Sequence, residues 1–188
     1  TNTAVAFSRL GLKTGYIGKI DNDSGGKKVT NLLKNEKVEF LGKIETNANM
    51  LGGYSIILDS KENDRSILTY KGLNDNIKFS DLNKKQLQTK WLYFSSLLGD
   101  SFKTQKDLAD YLYREGVKIA FNPSEYAIKV LDLMPILRNT EILILNKEEA
   151  ELLCKKNKVH EKDLLKGLHS LGLRIVVITN KDKEVFAF

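Results

Sequence analysis

Cysteine is almost absent from this sequence. Cys154 is the only one among 188 residues, so no disulfide can form within the chain. Small proteins of oxidising compartments usually carry several paired cysteines that stabilise a limited core. A single thiol therefore favours a reducing compartment, and we expect a cytoplasmic location.

Long apolar runs are also missing. The longest ones, at 142–145 and 175–178, have the length of a buried strand, whereas a membrane helix needs about 20 apolar residues. The sequence contains no basic segment followed by an apolar one, as a signal peptide would. The length and the 41% hydrophobic content predict one sizeable α/β core, with at most a small appendage.

Clustered positive charge is lacking, although the net charge is +6. The lysines are scattered over predicted helices and turns, while proteins that bind nucleic acid group basic residues in a stripe with interleaved aromatics. We therefore interpret the lysines as solvated surface residues, and we expect neither nucleic acid nor a membrane as a partner. A mild positive field would also suit a small substrate that carries phosphate.

Short apolar runs alternate with amphipathic stretches in the second half of the chain. The runs predict strands at 91–95, 117–121, 142–145 and 175–179. The stretches between them predict helices at 104–115, from 123 onward, through 150–153 and through 164–171. Because the strands are almost wholly apolar, we expect a parallel sheet with helices on both faces.

The region 36–76 has a different pattern. Short strands are predicted at 38–41, 54–58 and 67–70, with turns and no helix between them. Such strands should pair as an antiparallel or mixed sheet. We expect a small lid or edge sheet beside the α/β core.

Both ends of the chain break the strand–helix order. A helix is predicted at 3–10, with Asn2 as its N-cap and Gly11 as its C-cap, and no strand precedes it. The last five residues, 184–188, stop inside a predicted strand. We therefore expect that the chain is truncated at both ends.

The sequence Asn146-Lys147-Glu148-Glu149 joins an apolar strand to a predicted helix. Asn146 is a good N-cap, and a glutamate in the first turn suits the helix dipole, so the start of a helix explains both residues. The same groups also suit a ligand site, because carboxylate oxygen is a ligand that Mg²⁺ prefers and open α/β sheets bind ligands at strand ends. The residues alone leave both interpretations open.

The order of several such motifs resembles the ribokinase-like (PfkB) carbohydrate kinases. The matching segments are Asn2, Leu10-Gly11, Gly15, Gly18, Asp23, Gly26, Gly52-Gly53, Lys71-Gly72-Leu73-Asn74, Asn122-Pro123, Asn146 with Glu149, and Thr179. Asp21, Lys181 and Glu184 stand where that family usually has glycine. The resemblance implies a three-layer α/β/α sandwich with a mostly parallel central sheet and a small β lid. Residues 1–188 would form a partial kinase domain, with 36–76 contributing lid or edge strands.

The resemblance also implies a chemistry, which is ATP-dependent phosphorylation of a hydroxymethyl group on a sugar or nucleoside. It implies ATP and Mg²⁺ as cofactors, a small-molecule substrate and a homodimer formed through the lid. The residues that it assigns to the substrate are Asn2, Gly72 and Asn74. Those that it assigns to the nucleotide are Asn146, Thr179 and Asn180, and Glu149 is assigned to the metal.

The family's Gly-Ala-Gly-Asp turn, whose aspartate accepts the sugar hydroxyl proton, does not occur in these 188 residues. We expect that catalytic aspartate C-terminal to this chain. Asp100 is interpreted as a turn residue that cannot replace it, and His160 and His169 as surface residues. Two alternatives stay open: a catalytically silent binding or regulatory protein of the same fold, and an unrelated Rossmann-like nucleotide-binding domain. The second is disfavoured because no Gly-x-Gly-x-x-Gly follows a first strand.

Overall fold

The computed structural model describes residues 2–46, 50–59, 65–160, 162–180 and 184–187. The chain divides into two compact units. Unit 1 comprises residues 1–87 and 99–101, and unit 2 comprises residues 88–98 and 102–188.

Unit 1 begins with a helix and a parallel βαβ crossover. Its elements are α1 (Asn2–Arg9), β1 (Thr14–Tyr16), β2 (Lys19–Asp21), α2 (Ser24–Asn35), β3 (Val38–Phe40) and β4 (Lys43–Glu45). β1 pairs in parallel with β3, and β2 pairs in parallel with β4. Asp23 caps α2, since its side chain accepts a hydrogen bond from the N–H of Gly26 at 2.7 Å.

The prediction that strand 38–41 belongs with the strands at 54–58 and 67–70 is wrong. The twelve-residue helix α2 carries the chain back alongside β1, so β3 runs parallel to β1. A parallel pair needs a crossover connection of this kind. The prediction depended on the lack of a helix between residues 36 and 76. It did not include α2, the helix that precedes β3 in the chain.

The rest of unit 1 is a hairpin followed by short turns. β5 (Tyr54–Asp59) and β6 (Arg65–Tyr70) pair antiparallel, as predicted for the later strands. Many of their apolar side chains are exposed; Ile56 is 51% and Leu68 is 58% exposed. Three 3₁₀ turns come next, at Gly72–Asp75, Phe79–Asp81 and Lys84–Gln86.

A buried ion-pair network connects these turns to the βαβ layer. Lys19 is only 5% exposed, and its Nζ lies 3.4 Å from both Asp81 Oδ2 and Glu45 Oε2. The same Nζ lies 3.2 Å from the carbonyl oxygen of Asn76. Lys43 Nζ approaches Asp81 Oδ1 at 3.0 Å. A buried charge is tolerated when it is paired in this way.

Unit 2 is an α/β layer structure around one sheet. Its elements are β7 (Trp91–Phe94), α3 (Gly99–Arg114, whose first three residues belong to unit 1), β8 (Lys118–Phe121), α4 (Glu125–Val130), α5 (Met134–Leu137), β9 (Ile142–Asn146), α6 (Lys147–Lys156), α7 (Leu164–His169), β10 (Ile175–Thr179) and β11 (Val185–Ala187). The strand order is β11-β10-β9-β8-β7. Strands β7 to β10 are parallel and β11 is antiparallel to β10.

The core of unit 2 lies between the sheet and its helices. Along β9 and β10, buried residues alternate with half-buried or exposed ones, so that Leu143, Leu145, Val176 and Ile178 are buried. The apolar strands predict helices on both faces of the sheet. Within the described residues, one face of these two strands is buried more completely than the other.

Several local predictions can be compared with the structure. Asn2 is the first residue of α1 rather than its N-cap, whereas Gly11 ends the helix with φ of +87°. Asp100 lies in the first turn of the helix α3, so its interpretation as a turn residue is wrong. His160 is exposed, but His169 is half-buried at the end of α7, which corrects its interpretation as a surface residue.

Within the described ranges, no helix is both long enough and apolar enough to cross a membrane.

Candidate functional site

The residues predicted to face the nucleotide come together in unit 2. Asn146 ends β9 and Thr179 ends β10, and the two are register partners on neighbouring parallel strands. Thr179 Oγ1 donates a hydrogen bond to the carbonyl oxygen of Leu145 at 3.4 Å, and Asn180 follows directly. The carboxyl edge of an open α/β sheet is the usual place for a ligand.

Asn146 and Glu149 form a capping box at the start of α6. The Oδ1 atom of Asn146 accepts the N–H of Glu149 at 2.7 Å, and Glu149 Oε2 accepts the N–H of Asn146 at 2.9 Å. Both side chains therefore stabilise the helix start, as the structural interpretation of this motif required. The box also holds the Glu149 carboxylate in a fixed orientation at the end of β9.

The environment of Glu149 penalises its negative charge. Burial raises the pKa of this carboxyl above its ordinary value. Hydrogen bonds from the N–H groups of Asn146 and Glu125 oppose the rise, while the charges of Glu125 and Glu148 add to it. A cation bound at this carboxylate would favour its ionised form.

The donor set around Glu149 fits one kind of metal. In the described ranges, no group of three or more His, Cys, Asp or Glu side chains is arranged to hold an ion. Mg²⁺ commonly keeps several waters and binds through one or two carboxylates together with substrate phosphates. Glu149 therefore fits a hydrated Mg²⁺, and it does not fit a metal that requires an all-protein cage.

A cavity of about 300 Å³ lies next to this group of residues. Its lining combines apolar side chains with a few polar ones: Lys147, Lys162, Asp163, Leu164, Leu165, Ile178, Asn180 and Phe186. Asn180 was predicted from the sequence, while the other lining residues were not. The signal that could have found Lys147 is its place inside the Asn146–Glu149 motif.

The residues predicted to face the substrate lie in unit 1. Gly72 opens a 3₁₀ turn with φ of +49°, and a Cβ at this position would lie 2.1 Å from the carbonyl oxygen of Leu51. Only glycine therefore fits here. Asn74 is half-buried, and a Cβ added to Gly53 would lie 2.0 Å from the Nδ2 atom of Asn74. The turn and Gly53 are thus packed against each other.

Asn2 is exposed at the start of α1, which contacts β1 and β3. Over the residues that the structure describes, no hydrogen bond joins Asn2 to Gly72 or Asn74. Its assignment to the substrate remains a prediction.

Asp21 takes part in this region of unit 1, although no role was assigned to it from the sequence. Its Oδ2 accepts a hydrogen bond from the N–H of Gly52 at 2.7 Å. Its neighbour Asp23 has a lowered pKa, chiefly because of the hydrogen bond from Gly26 and then because of one with Asp21. The signal in the sequence was the departure of Asp21 from the glycine that is usual in the motif.

The loop after Thr179 can be described in part. Lys181, one of the two departures from glycine noted in the sequence, lies outside the described residues. Glu184 is exposed and immediately precedes β11. Strands β10 and β11 pair on the two sides of this loop, with Thr179 opposite Val185.

Several curated proteins are similar in sequence to this chain, among them two sugar kinases. The chain is 28% identical to ribokinase from Haemophilus influenzae over 191 residues, which covers 98% of this chain and 60% of that protein. It is 31% identical to an uncharacterized sugar kinase from Archaeoglobus fulgidus over 164 residues, which covers 81% of this chain and 62% of that protein. The chain thus spans about 60% of the length of these two relatives.

Solved structures share the fold. Adenosine kinase from Anopheles gambiae, solved in complex with P1,P4-di(adenosine-5) tetraphosphate, superposes with a TM-score of 0.87 at 16% sequence identity, covering 100% of this chain and 64% of that one. The predicted fold class, ribokinase-like with a sheet of mostly parallel strands, is confirmed. An unrelated Rossmann-like domain is not compatible with this result.

A family model accounts for the whole chain. Residues 1–188 match the pfkB family of carbohydrate kinases from end to end. This match agrees with the motif order that begins at Asn2 and ends at Thr179. The chain belongs to the pfkB carbohydrate kinase family.

Proposed function

We propose that the natural protein carrying this chain transfers the γ-phosphoryl group of ATP to a hydroxymethyl group of a sugar or nucleoside. Family membership supports the reaction class. The observation that carries the proposal is the pairing of Asn146 with Thr179 at the carboxyl edge of the sheet, with Glu149 held beside them by the capping box.

On the nucleotide side, we assign three residues to ATP. The amide of Asn146 donates to a phosphate oxygen, because Oδ1 already accepts the helix N–H and the NH₂ group can still donate. Thr179 and Asn180 contact the nucleotide from the adjacent strand end. Such groups contribute mainly positioning and electrostatic stabilisation in phosphoryl transfer.

Glu149 would hold a hydrated Mg²⁺. When bound, the ion neutralises negative charge on the phosphates. The raised pKa of Glu149 supports the assignment, since a cation offsets the cost of burying this carboxylate.

On the substrate side, we assign Asn2, Gly72 and Asn74 to the sugar or nucleoside. The side-chain amide of Asn74 both donates and accepts, as recognition of hydroxyl groups requires. The β5–β6 hairpin serves as a lid that excludes water from the reaction. We assign the proton-accepting aspartate to a segment outside these 188 residues, because the Gly-Ala-Gly-Asp turn is missing from them.

The test is a release assay for ADP with the natural gene product, ATP, Mg²⁺ and a panel of sugars and nucleosides. Turnover with at least one acceptor is expected, with loss of most activity in Glu149→Gln and in Asn146→Ala. The replacement of family glycines by Lys181 and Glu184 favours one competing function, a silent sugar- or nucleotide-binding regulator. Ligand binding without turnover for any acceptor would support that regulator and reject the kinase.

We further propose a homodimer in which the hairpins of two copies pack on each other. One face of the hairpin is a continuous apolar surface, formed by Tyr54, Ile56, Leu58, Leu68 and Tyr70, each of them exposed. Exposed apolar patches of this kind mark contact surfaces.

A cytoplasmic location suits an ATP-dependent enzyme whose single thiol, Cys154, is buried and reduced.

A further inference from the structure

The hairpin joins the rest of unit 1 through two short segments that are bonded to each other. Gly52 and Gly53 precede β5, and Gly72 follows β6 after one intervening residue. The N–H of Leu73 donates to the carbonyl oxygen of Leu51 at 3.1 Å. The two ends of the hairpin therefore form one base.

Asp21 fixes this base to the βαβ layer. It is the last residue of β2, and its carboxylate accepts the N–H of Gly52 at 2.7 Å. This hydrogen bond joins a side chain of β2 to the backbone at the base of the hairpin. Glycine, the residue usual at this position in the motif, has no side-chain acceptor and could not form it. The bond is therefore a property of this sequence.

The position of Gly52 affects the group assigned to the substrate. Gly53 is the next residue, and it is so close to the side chain of Asn74 that a Cβ would lie 2.0 Å from Asn74 Nδ2. A shift of the 52–53 backbone would therefore move or release the Asn74 amide. Because the contact is so close, the backbone of Gly53 cannot move toward Asn74 without displacing the Asn74 side chain.

We propose that Asp21 is a positioning residue that latches the base of the hairpin to β2 and thereby orients Asn74 toward the sugar or nucleoside. The effect on the substrate rests on the proposed function, whereas the hydrogen bond between Asp21 and Gly52 does not. Asp21 acts through Gly52 and Gly53 and does not need to touch the substrate.

The latch is tested first by amide hydrogen exchange on the 188-residue chain. In Asp21→Ala, the amide of Gly52 should exchange about tenfold faster, and that of Leu73 should follow it. Asp21→Asn keeps a carbonyl acceptor and should show a smaller increase. The control, Asp110→Ala, removes an exposed aspartate of α3 in unit 2 and should leave the exchange rate of the Gly52 amide unchanged.

If Asp21→Ala does not fold, Asp21→Gly, with the residue usual in the family, gives the same readout. Unchanged exchange at Gly52 in a folded Ala or Gly variant overturns the latch.

The consequence is tested by kinetics on the natural gene product. Asp21→Ala should raise KM for the acceptor about fivefold, with kcat and KM for ATP within about twofold; Asp21→Asn should recover most of the loss. An unchanged acceptor KM beside faster Gly52 exchange would overturn the positioning role. A wild-type protein without kinase activity would reject the proposed function, and the exchange measurement would still decide the latch.

Discussion

Asn146 is a residue with two separable tasks. Its Oδ1 caps α6, and its NH₂ group is proposed to contact a phosphate. Asn146→Ala should lower the free energy of unfolding by about 1 kcal/mol, because one N–H of the helix start loses its acceptor. Urea unfolding of the 188-residue chain measures this change.

The matched variant is Asn146→Asp, which retains the cap and places a negative charge near the phosphates. It should keep wild-type stability and yet weaken the affinity for MgATP, measured by isothermal titration calorimetry. Equal affinity in the two proteins would speak against a phosphate contact at Asn146.

Glu149 should make stability depend on pH in the direction opposite to most carboxylates. Burial raises its pKa above the ordinary value in the folded chain, so the folded state favours the protonated form. The stabilisation is fully present below the unfolded pKa and is lost as pH rises through the folded value. Glu149→Gln should therefore gain in unfolding free energy relative to wild type between acidic and neutral pH.

Mg²⁺ provides the control for this measurement. Bound at Glu149, the ion would favour the ionised carboxylate and reduce the difference between the two proteins at neutral pH. A difference that is constant across the pH range would contradict a raised pKa at this residue.

At the scale of elements, the hairpin is the part of unit 1 that has the most exposed apolar side chains. If two copies associate through the face that contains Ile56 and Leu68, Ile56→Glu should convert dimers to monomers, because an ionised group would be buried in the contact. Light scattering coupled to size exclusion measures the mass. Thr69→Glu changes the opposite face of the hairpin and should remain dimeric; a wild-type monomer at high concentration rejects the proposed homodimer.

The ion-pair network is the second feature at this scale. Lys19→Met should destabilise the chain by about 3 kcal/mol, because the buried Asp81 and the half-buried Glu45 would lose their buried partner. Burial alone would raise the pKa of Asp81, but hydrogen bonds from Lys78 and Lys43 and the charge of Lys19 hold it below its ordinary value. The stabilisation that the Asp81 carboxylate contributes is therefore present at neutral pH and is lost as the pH falls through the pKa of Asp81 in the folded chain. In Lys19→Met, stability should fall less steeply with pH.

Lys43→Met is the matched control for the network. Lys43 contacts the same Asp81 but is 45% exposed, so its ion pair is screened by solvent and its removal should destabilise the chain less than the removal of Lys19. Chemical denaturation of both variants tests the ranking. Equal losses would mean that the burial of Lys19 does not decide its contribution.

At the scale of the whole molecule, we predict that the 188-residue chain does not turn over ATP with any sugar or nucleoside. The groups assigned to ATP are present in unit 2, while the aspartate turn of the family is missing from the sequence. A coupled assay for ADP with this chain measures turnover, and calorimetry with MgATP serves as the binding control. Measurable phosphoryl transfer would contradict our assignment of the base to a segment outside these residues.

Much of the candidate nucleotide site could be predicted because its signals are local. Asn146 and Thr179 each end an apolar run, and parallel strands place such ends at one edge of the sheet. The cap at Asn146 and the glutamate three residues later follow from the backbone groups that every helix start leaves unsatisfied. The partner of β3 could not be predicted, because it depends on where α2 returns the chain.

The sequence by itself determined the strands of unit 2, the cap at Asn146, the family motifs in their order and the missing aspartate turn, because each of these depends on residues close together in the chain. Only the tertiary structure decided the burial of Lys19, whose partner Asn76 is 57 residues away, and the bond between Asp21 and Gly52, which are 31 residues apart. Contacts at such separations depend on how strands pair and where crossovers return. The same carboxylate could equally have faced solvent, and the fold alone brings it to the base of the hairpin.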